Sequence, residues 1–160
     1  NSLYSQGRFE EAIVRYTRVL DINPQSADAF NNWGFALSAM GRFEEAGTKY
    51  SKAIQINPQS SQAYYNWGNA LRRQNKQEEA ISKYQKAVEI NPNYSLAYNN
   101  WGVVLDSQGK YEDAMTKYSK AIATNPNYSQ AYNNWGFALD ALGKYEESIA
   151  KYMKATEFKS

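Results

Sequence analysis

Tyr98-Asn99-Asn100-Trp101-Gly102 belongs to a stretch that occurs four times in the chain, with a constant spacing of 34 residues. The other copies are Phe30-Asn31-Asn32-Trp33-Gly34, Tyr64-Tyr65-Asn66-Trp67-Gly68 and Tyr132-Asn133-Asn134-Trp135-Gly136. A constant period of this length is typical of stacked repeat architectures, in which each repeat is one supersecondary unit. The sequence therefore predicts a repeat protein, and the other motifs are interpreted within that period.

Two kinds of residue divide each repeat. Asn-Pro pairs recur with the same period, and Pro ends a helix because it lacks an N–H and disfavours helical geometry in the residue before it. Between these pairs stands Gly, or Asn in one repeat, which tolerates the left-handed conformation just past a helix end. The pairs are residues 23–24, 57–58, 91–92 and 125–126, and the residues between them are Gly7, Gly41, Asn75, Gly109 and Gly143. Each repeat is therefore predicted to be two helices joined by a tight turn.

The apolar residues of a repeat fall on one face of each predicted helix, at residues 27–40 for the first and 43–55 for the second. One repeat cannot cover these faces alone, so neighbours must stack to bury a continuous core. Trp33, Trp67, Trp101 and Trp135 are predicted to be the largest apolar side chains in that core. Truncating a buried one should cost about 3–5 kcal/mol. The alternative interpretation is an aromatic cage for a ligand.

The composition argues against catalysis. The 160 residues include no Cys and no His. Their absence removes thiolate and imidazole metal ligands and every Ser-His or Cys-His catalytic arrangement. We therefore expect a protein that is not an enzyme and has neither a metal nor a cofactor.

Charge and hydropathy restrict the classes of partner that the chain is expected to bind. The net charge of +2 is too small for the basic surface of a nucleic-acid binder, and no apolar run is long enough to span a membrane. Acidic residues four positions before basic ones, such as Glu45 and Lys49, are predicted to form a solvated outer face. The chain begins without Met and is expected to be a piece of a longer protein. An intracellular, cytoplasmic location is expected, although no residue identifies the compartment.

The residues that recur in each repeat resemble the tetratricopeptide repeat family. In one repeat the matching residues are Gly34, Ala46, Tyr50, Ala53 and Pro58, and they recur as Gly68, Ala80, Tyr84, Ala87 and Pro92. The resemblance covers the whole chain as a single array, residues 1–160. It comprises a partial repeat at 1–26, full repeats at 27–60, 61–94 and 95–128, and a nearly complete repeat at 129–160. The main departure is Trp where the family usually has Leu.

The resemblance implies an all-α fold, a right-handed superhelical solenoid of antiparallel helix pairs. Its first helices would line a concave groove that holds a partner polypeptide. Such repeats are usually scaffolds, so we expect this chain to bind an extended peptide segment. The predicted peptide-binding residues lie on the edge of the first helices that faces away from the core: Asn32, Phe35, Asn66, Asn69, Arg73, Leu96, Asn100, Val103, Asn134 and Phe137.

One residue type recurs at the same groove position, as Asn32, Asn66, Asn100 and Asn134. A side-chain amide offers both donors and an acceptor to a peptide backbone. The row resembles the asparagine ladder in the repeat superhelix of the O-linked N-acetylglucosamine transferases. Alternatively, these amides cap or bridge adjacent helices. Near Arg73 the predicted groove is positive, which favours an acidic residue in the ligand, unless Arg73 belongs only to a solvated helix end.

Two other functions stay open at this point. The chain is a structural module that self-associates end to end through apolar edges near Asn1 and Ser160, or it selects substrates for a larger enzyme, such as a glycosyltransferase. In the second case the catalytic domain lies outside this sequence. The sequence does not identify the partner protein.

Overall fold

The repeats fold as antiparallel helix pairs. The computed structural model describes residues 2–159, with side chains from Ser5 onward, and this part contains nine α-helices and no strand. Their bounds are α1 (Ser2–Ile22), α2 (Ala27–Ala39), α3 (Phe43–Ile56), α4 (Ser61–Arg73), α5 (Gln77–Ile90), α6 (Ser95–Ser107), α7 (Tyr111–Thr124), α8 (Ser129–Ala141) and α9 (Tyr145–Phe158). The predicted all-α class is confirmed. Asn1 and Ser160, near which self-association was considered, lie outside the described residues.

The chain forms two compact units, the first ending at Ile90 and the second beginning at Asn91. In the first unit each helix from α1 to α5 packs against the next, and α2 also contacts α4. In the second unit α6 to α9 pack in the same way, and α6 contacts α8. Within each unit, the first helices of successive repeats therefore touch. Over the described residues, none of the helices has the length and apolar character needed to cross a membrane.

Backbone conformation and local hydrogen bonds explain why Gly, Asn and Asn-Pro stand in the turns between the helices. Gly41, Asn75, Gly109 and Gly143 adopt the left-handed conformation, with φ between 61° and 79°. The Asn of an Asn-Pro pair closes the other turn, because the Asn57 side-chain oxygen accepts a hydrogen bond from the N–H of Gln59 at 3.1 Å. The helix that follows begins with a cap in which the Ser60 hydroxyl accepts from the N–H of Ala63 at 3.3 Å.

The turn predicted at Gly7 is wrong. Gly7 lies inside α1, which is continuous from Ser2 to Ile22, and its φ is not positive. Glycine tolerates helical geometry as well as the left-handed conformation, so this residue type alone does not end a helix.

We expect opposite effects from the same substitution at Gly7 and Gly41. Gly7→Ala should raise the free energy of unfolding by about 0.5–1 kcal/mol, because Ala is the better residue in a helix interior and no atom lies within 4 Å of the added methyl group. Gly41→Ala should lower it by about 1 kcal/mol or more, because φ is +79° at this residue. Chemical denaturation followed by circular dichroism measures both. Destabilisation by both variants would indicate a turn at Gly7.

The aromatic residues at the centre of the core are tyrosines. Tyr50, Tyr84 and Tyr118 are completely buried. Each ring lies against the glycine of the preceding helix, and a methyl group added at Gly68 would lie 2.7 Å from Cε1 of Tyr84. Glycine at this position therefore permits the close approach of the two helices of a repeat. The four Trp residues are only partly buried. Trp33 and Trp67 pack against the buried cluster of Leu37, Ala46, Tyr50 and Ala70, and their contribution to the stability of the core stays a prediction.

Candidate functional site

All ten predicted peptide-binding residues lie on the first helices of their repeats. In the first unit, α2 carries Asn32 and Phe35, and α4 carries Asn66, Asn69 and Arg73. Asn32, Phe35 and Arg73 are exposed, Asn69 is half-buried, and Asn66 is buried, with 9% of its surface exposed. The structure thus brings part of the predicted set to one surface of this unit.

Four of these residues line a single cleft in the first unit. The cleft has a volume of about 210 Å³. We call it the Tyr50 cleft; its lining residues are Phe35, Ser38, Ala39, Tyr50, Asn66, Asn69, Arg72 and Arg73. Phe35 is 55% exposed and offers an apolar surface to a ligand. Two of the eight lining residues are arginines and none is acidic, so the cleft favours a negatively charged group.

Arg73 is held in place at the border of the Tyr50 cleft. One terminal guanidinium nitrogen donates a hydrogen bond to the carbonyl oxygen of Ser38 at 3.2 Å, which joins α4 to α2. Its guanidinium also lies 4.9 Å from the centre of the Phe43 ring, within cation–π range. Arg73 is therefore more than a solvated helix end.

Asn66 is used as a bridge between helices. Its amide nitrogen donates to the side-chain oxygen of Asn31 at 3.1 Å, and Asn31 is only 5% exposed. In the second unit Asn134 donates to the side-chain oxygen of Asn99 in the same way, at 3.0 Å. The bridging interpretation thus describes these two amides, and peptide binding by the Asn row stays a prediction. Substituting Asn66 would leave a buried oxygen without its donor, so this change would affect folding as well as binding.

Asn31 and Asn99 were not in the predicted set. The helical wheel places Asn99 at the margin of the core, whereas the structure buries it completely. The sequence offered one signal for these two residues. A second Asn directly precedes the Asn of the row in three of the four repeats, and the remaining repeat has Tyr65 at that position. A buried amide needs a partner, and the next repeat supplies it.

The buried tyrosines differ in what their hydroxyl groups bind. The hydroxyl of Tyr84 donates to the side-chain oxygen of Asn69 at 2.6 Å, and that of Tyr118 donates to the carboxylate of Asp106. Tyr152 donates to Asp140 at 2.8 Å. Burial raises the pKa of Asp106, and the hydrogen bond from Tyr118 acts in the opposite direction. The corresponding hydroxyl of Tyr50 is buried and has no hydrogen-bond partner within the described residues.

The amine of a lysine from the same repeat lies over each Trp ring. The lysine nitrogen lies 3.8–4.0 Å from the ring centre in all four repeats. The pairs are Trp33 with Lys49, Trp67 with Lys83, Trp101 with Lys117, and Trp135 with Lys151. Burial lowers the pKa of the Lys83 and Lys117 amines. These lysines are half-buried. The acidic residue four positions earlier acts in the opposite direction on the pKa of Lys83 and Lys117, as the predicted pairs require, and each lysine occupies one face of its Trp ring.

A larger open cleft, of about 670 Å³, lies on another surface of the first unit. It is lined by Gly47, Lys52 and Trp67 among others, and by none of the ten predicted residues. Gly47 stands where the other repeats have Ile81, Met115 and Ile149. The missing side chain leaves this side of Trp67 open. The sequence signal for this cleft is therefore Gly47, a small residue at a repeat position that otherwise carries a large apolar side chain.

In the second unit the other five predicted residues lie on α6 and α8. They are Leu96, Asn100, Val103, Asn134 and Phe137. Leu96 and Phe137 are 45% and 64% exposed, and the other three are half-buried. The Phe137 ring packs edge-on against Tyr152, with 5.7 Å between their centres.

The family models cover the chain. Four segments, residues 1–41, 37–71, 68–106 and 107–143, match a model described as TPR repeat. Residues 129–160 match a second model, described as tetratricopeptide repeat. No curated protein matches the chain. The finer resemblance, to the asparagine ladder of the O-linked N-acetylglucosamine transferases, stays a prediction.

Several solved structures have a similar fold. The crystal structure of MamA matches with a TM-score of 0.85 and 29% identity, over 97% of this chain and 91% of MamA. PilF of Pseudomonas aeruginosa matches with a TM-score of 0.88 and 22% identity, over 99% of this chain and 72% of PilF. YrrB, described as a TPR protein with an unusual peptide-binding site, matches with a TM-score of 0.76 and 23% identity, over 99% of this chain and 82% of YrrB. The helix pairs, their turns and the family matches together show that this chain belongs to the tetratricopeptide repeat family.

Proposed function

We propose that this chain is a non-catalytic scaffold that binds an extended peptide segment of a partner protein, with the Tyr50 cleft as the principal contact. Proteins of this family act as protein-interaction scaffolds. The observation that carries the proposal is the convergence of Phe35, Asn66, Asn69 and Arg73 on one cleft.

The cleft combines the groups that hold an extended peptide. The exposed ring of Phe35 supplies an apolar contact, and the side-chain amides of Asn66 and Asn69 supply polar groups of the kind that pair with a peptide backbone. Arg73 adds a cation whose orientation is fixed by Ser38 and Phe43. On the second unit, we expect the exposed side chains of Leu96 and Phe137 to form an apolar contact surface of that unit's own.

The absence of Cys and His from the sequence also favours a binding role over a catalytic one. Among the side chains that the structure describes, no group of three acidic residues is arranged to hold a metal ion.

Selection of short random peptides displayed on phage tests the proposal, followed by fluorescence polarisation with the selected peptides. We expect Phe35→Ala and Arg73→Ala each to weaken binding by about tenfold, a loss of about 1.4 kcal/mol. Phe35 is exposed, so its variant should unfold nearly as the wild type does, whereas Arg73→Ala also removes the hydrogen bond to Ser38 and should lower the thermal midpoint slightly.

Two control variants match these changes. Ile149→Ala removes an apolar side chain that is 57% exposed on α9, and Lys52→Ala removes a cation that lines the larger cleft. Both should bind the peptides as the wild type does. Peptides that lose affinity with Lys52→Ala and keep it with Phe35→Ala and Arg73→Ala would place binding in the other cleft and contradict the proposal.

A further inference from the structure

The Tyr50 hydroxyl is the exception among the equivalent groups of the four repeats that contain both helices. The equivalent tyrosines are Tyr84, Tyr118 and Tyr152, and each donates its hydroxyl hydrogen to an oxygen of the preceding helix. Tyr50 is completely buried, yet its hydroxyl oxygen has no hydrogen-bond partner in the part of the chain that the structure describes. A buried hydroxyl without a partner is costly, so its environment needs an explanation.

The sequence shows which acceptor is missing. The acceptors of Tyr118 and Tyr152 are Asp106 and Asp140, each twelve residues earlier in the chain. At the same repeat position the first full repeat has Ser38, whose hydroxyl makes no hydrogen bond to Tyr50. The acceptor of Tyr84 is Asn69, and the equivalent residue here is Phe35. This repeat has therefore lost the carboxylate and has no amide in its place.

A second donor without an acceptor lines the same cleft. The Nε group of Arg72 is buried and has no hydrogen-bond partner among the described residues. Arg72, Arg73 and Tyr50 all line the Tyr50 cleft, and no acidic residue does. Two unused donors and two positive charges in one cleft match a single kind of ligand group, an anionic acceptor.

The geometry points to a carboxylate-binding subsite in the Tyr50 cleft, in which an acidic group of the bound peptide accepts the hydrogen bond from the Tyr50 hydroxyl. The ligand carboxylate would supply what Asp106 and Asp140 supply within the second unit. This inference rests on the proposed peptide binding and adds to it the chemical class of one peptide residue. The exposed side chain of Phe35 borders the cleft, and a change in its rotamer would open the path to the hydroxyl.

The carboxylate has two sources, an Asp or Glu side chain and the C-terminus of the peptide. The peptides selected by phage display are synthesised in their acidic form, with Asp or Glu replaced by Asn or Gln, and with the C-terminus amidated. We expect one of the two neutralised forms to bind the wild-type chain at least about tenfold more weakly. Which form loses affinity identifies the source.

Two variants test the role of Tyr50. Tyr50→Phe should weaken binding of the acidic peptide by about tenfold, and it should then bind the acidic and the neutralised forms about equally. Ser38→Asp places a carboxylate where Asp106 and Asp140 stand, so it should satisfy Tyr50 internally and prevent binding of the acidic form. Tyr118→Phe, the same substitution in the other unit, should leave the preference for the acidic form unchanged.

The outcomes separate this inference from the proposed function. Peptides that need Phe35 and Arg73, and bind equally with and without their carboxylates, would overturn the subsite and leave peptide binding intact. An unchanged preference for the acidic form in Tyr50→Phe would also overturn the subsite. If the selection yields no binding peptide, both proposals fail.

Discussion

Replacing Tyr84 with alanine is expected to lower the free energy of unfolding by about 3–5 kcal/mol, the usual cost of removing a large buried aromatic side chain. Tyr84 is completely buried, and its ring fills the space that Gly68 leaves open on the preceding helix. The truncation would leave a cavity between the two helices of the repeat. It would also remove the donor that binds Asn69.

Chemical denaturation followed by far-UV circular dichroism measures this loss. The matched control is Tyr145→Ala, because Tyr145 is 63% exposed at the start of α9. A surface substitution of this kind should change the free energy of unfolding by no more than about 0.5 kcal/mol. Similar losses in the two variants would contradict the assignment of the buried tyrosines as the core of each helix pair.

The second large effect concerns the hydroxyl of Tyr118. Tyr118→Phe is expected to cost about 1.5–3 kcal/mol, the range for a hydrogen bond to a charged group, because it removes the donor to the partly buried carboxylate of Asp106. The other carboxylate oxygen of Asp106 has no partner within the described residues. The substitution would therefore leave a buried carboxylate without this hydrogen bond.

The same change at Tyr50 is the control. Tyr50→Phe deletes a hydroxyl that has no partner in the described structure, so it should change the free energy of unfolding by no more than about 0.5 kcal/mol, or stabilise the chain slightly. Denaturation of the two variants side by side gives the difference. Equal losses at Tyr50 and Tyr118 would mean that Tyr50 has an acceptor after all.

The sequence predicts the helix pairs well because its strongest signals are local and repeated. Asn57 and Pro58 determine a turn through nearby backbone groups, and Gly41 favours a left-handed residue, whatever lies further away. Gly7 shows where this reasoning fails. The same residue type marks a turn only when a second helix packs back on the first, and that condition depends on tertiary contacts.

Periodicity identified the side chains that face the core but not how deeply each one is buried. Apolar spacing places both Trp67 and Tyr84 on core-facing helix surfaces, whereas in the structure Tyr84 is fully buried and Trp67 is partly buried with Lys83 over its ring. The Trp–Lys contact joins residues on two helices, at a separation of sixteen residues, as in Trp67 and Lys83. A single-helix pattern cannot reveal such a pair, although its constant spacing in every repeat could have suggested it.

The candidate site was predictable in part. The prediction placed Phe35, Asn66, Asn69 and Arg73 on one surface because they share an edge of the first helices, and these four line one cleft. Tyr50 could not be included, because its repeat position marks it as core. The missing acceptor of its hydroxyl becomes evident only in the structure, where Tyr84, Tyr118 and Tyr152 each have an acceptor and Tyr50 has none among the described residues.

The central claim is that the Tyr50 cleft binds an acidic group of an extended peptide. The most direct test compares the Kd of one selected peptide with that of its neutralised form, for the wild type and for Tyr50→Phe. We predict a preference for the acidic form of about tenfold or more in the wild type, falling to about one in the variant. The same preference in both proteins, or none in the wild type, would contradict the claim.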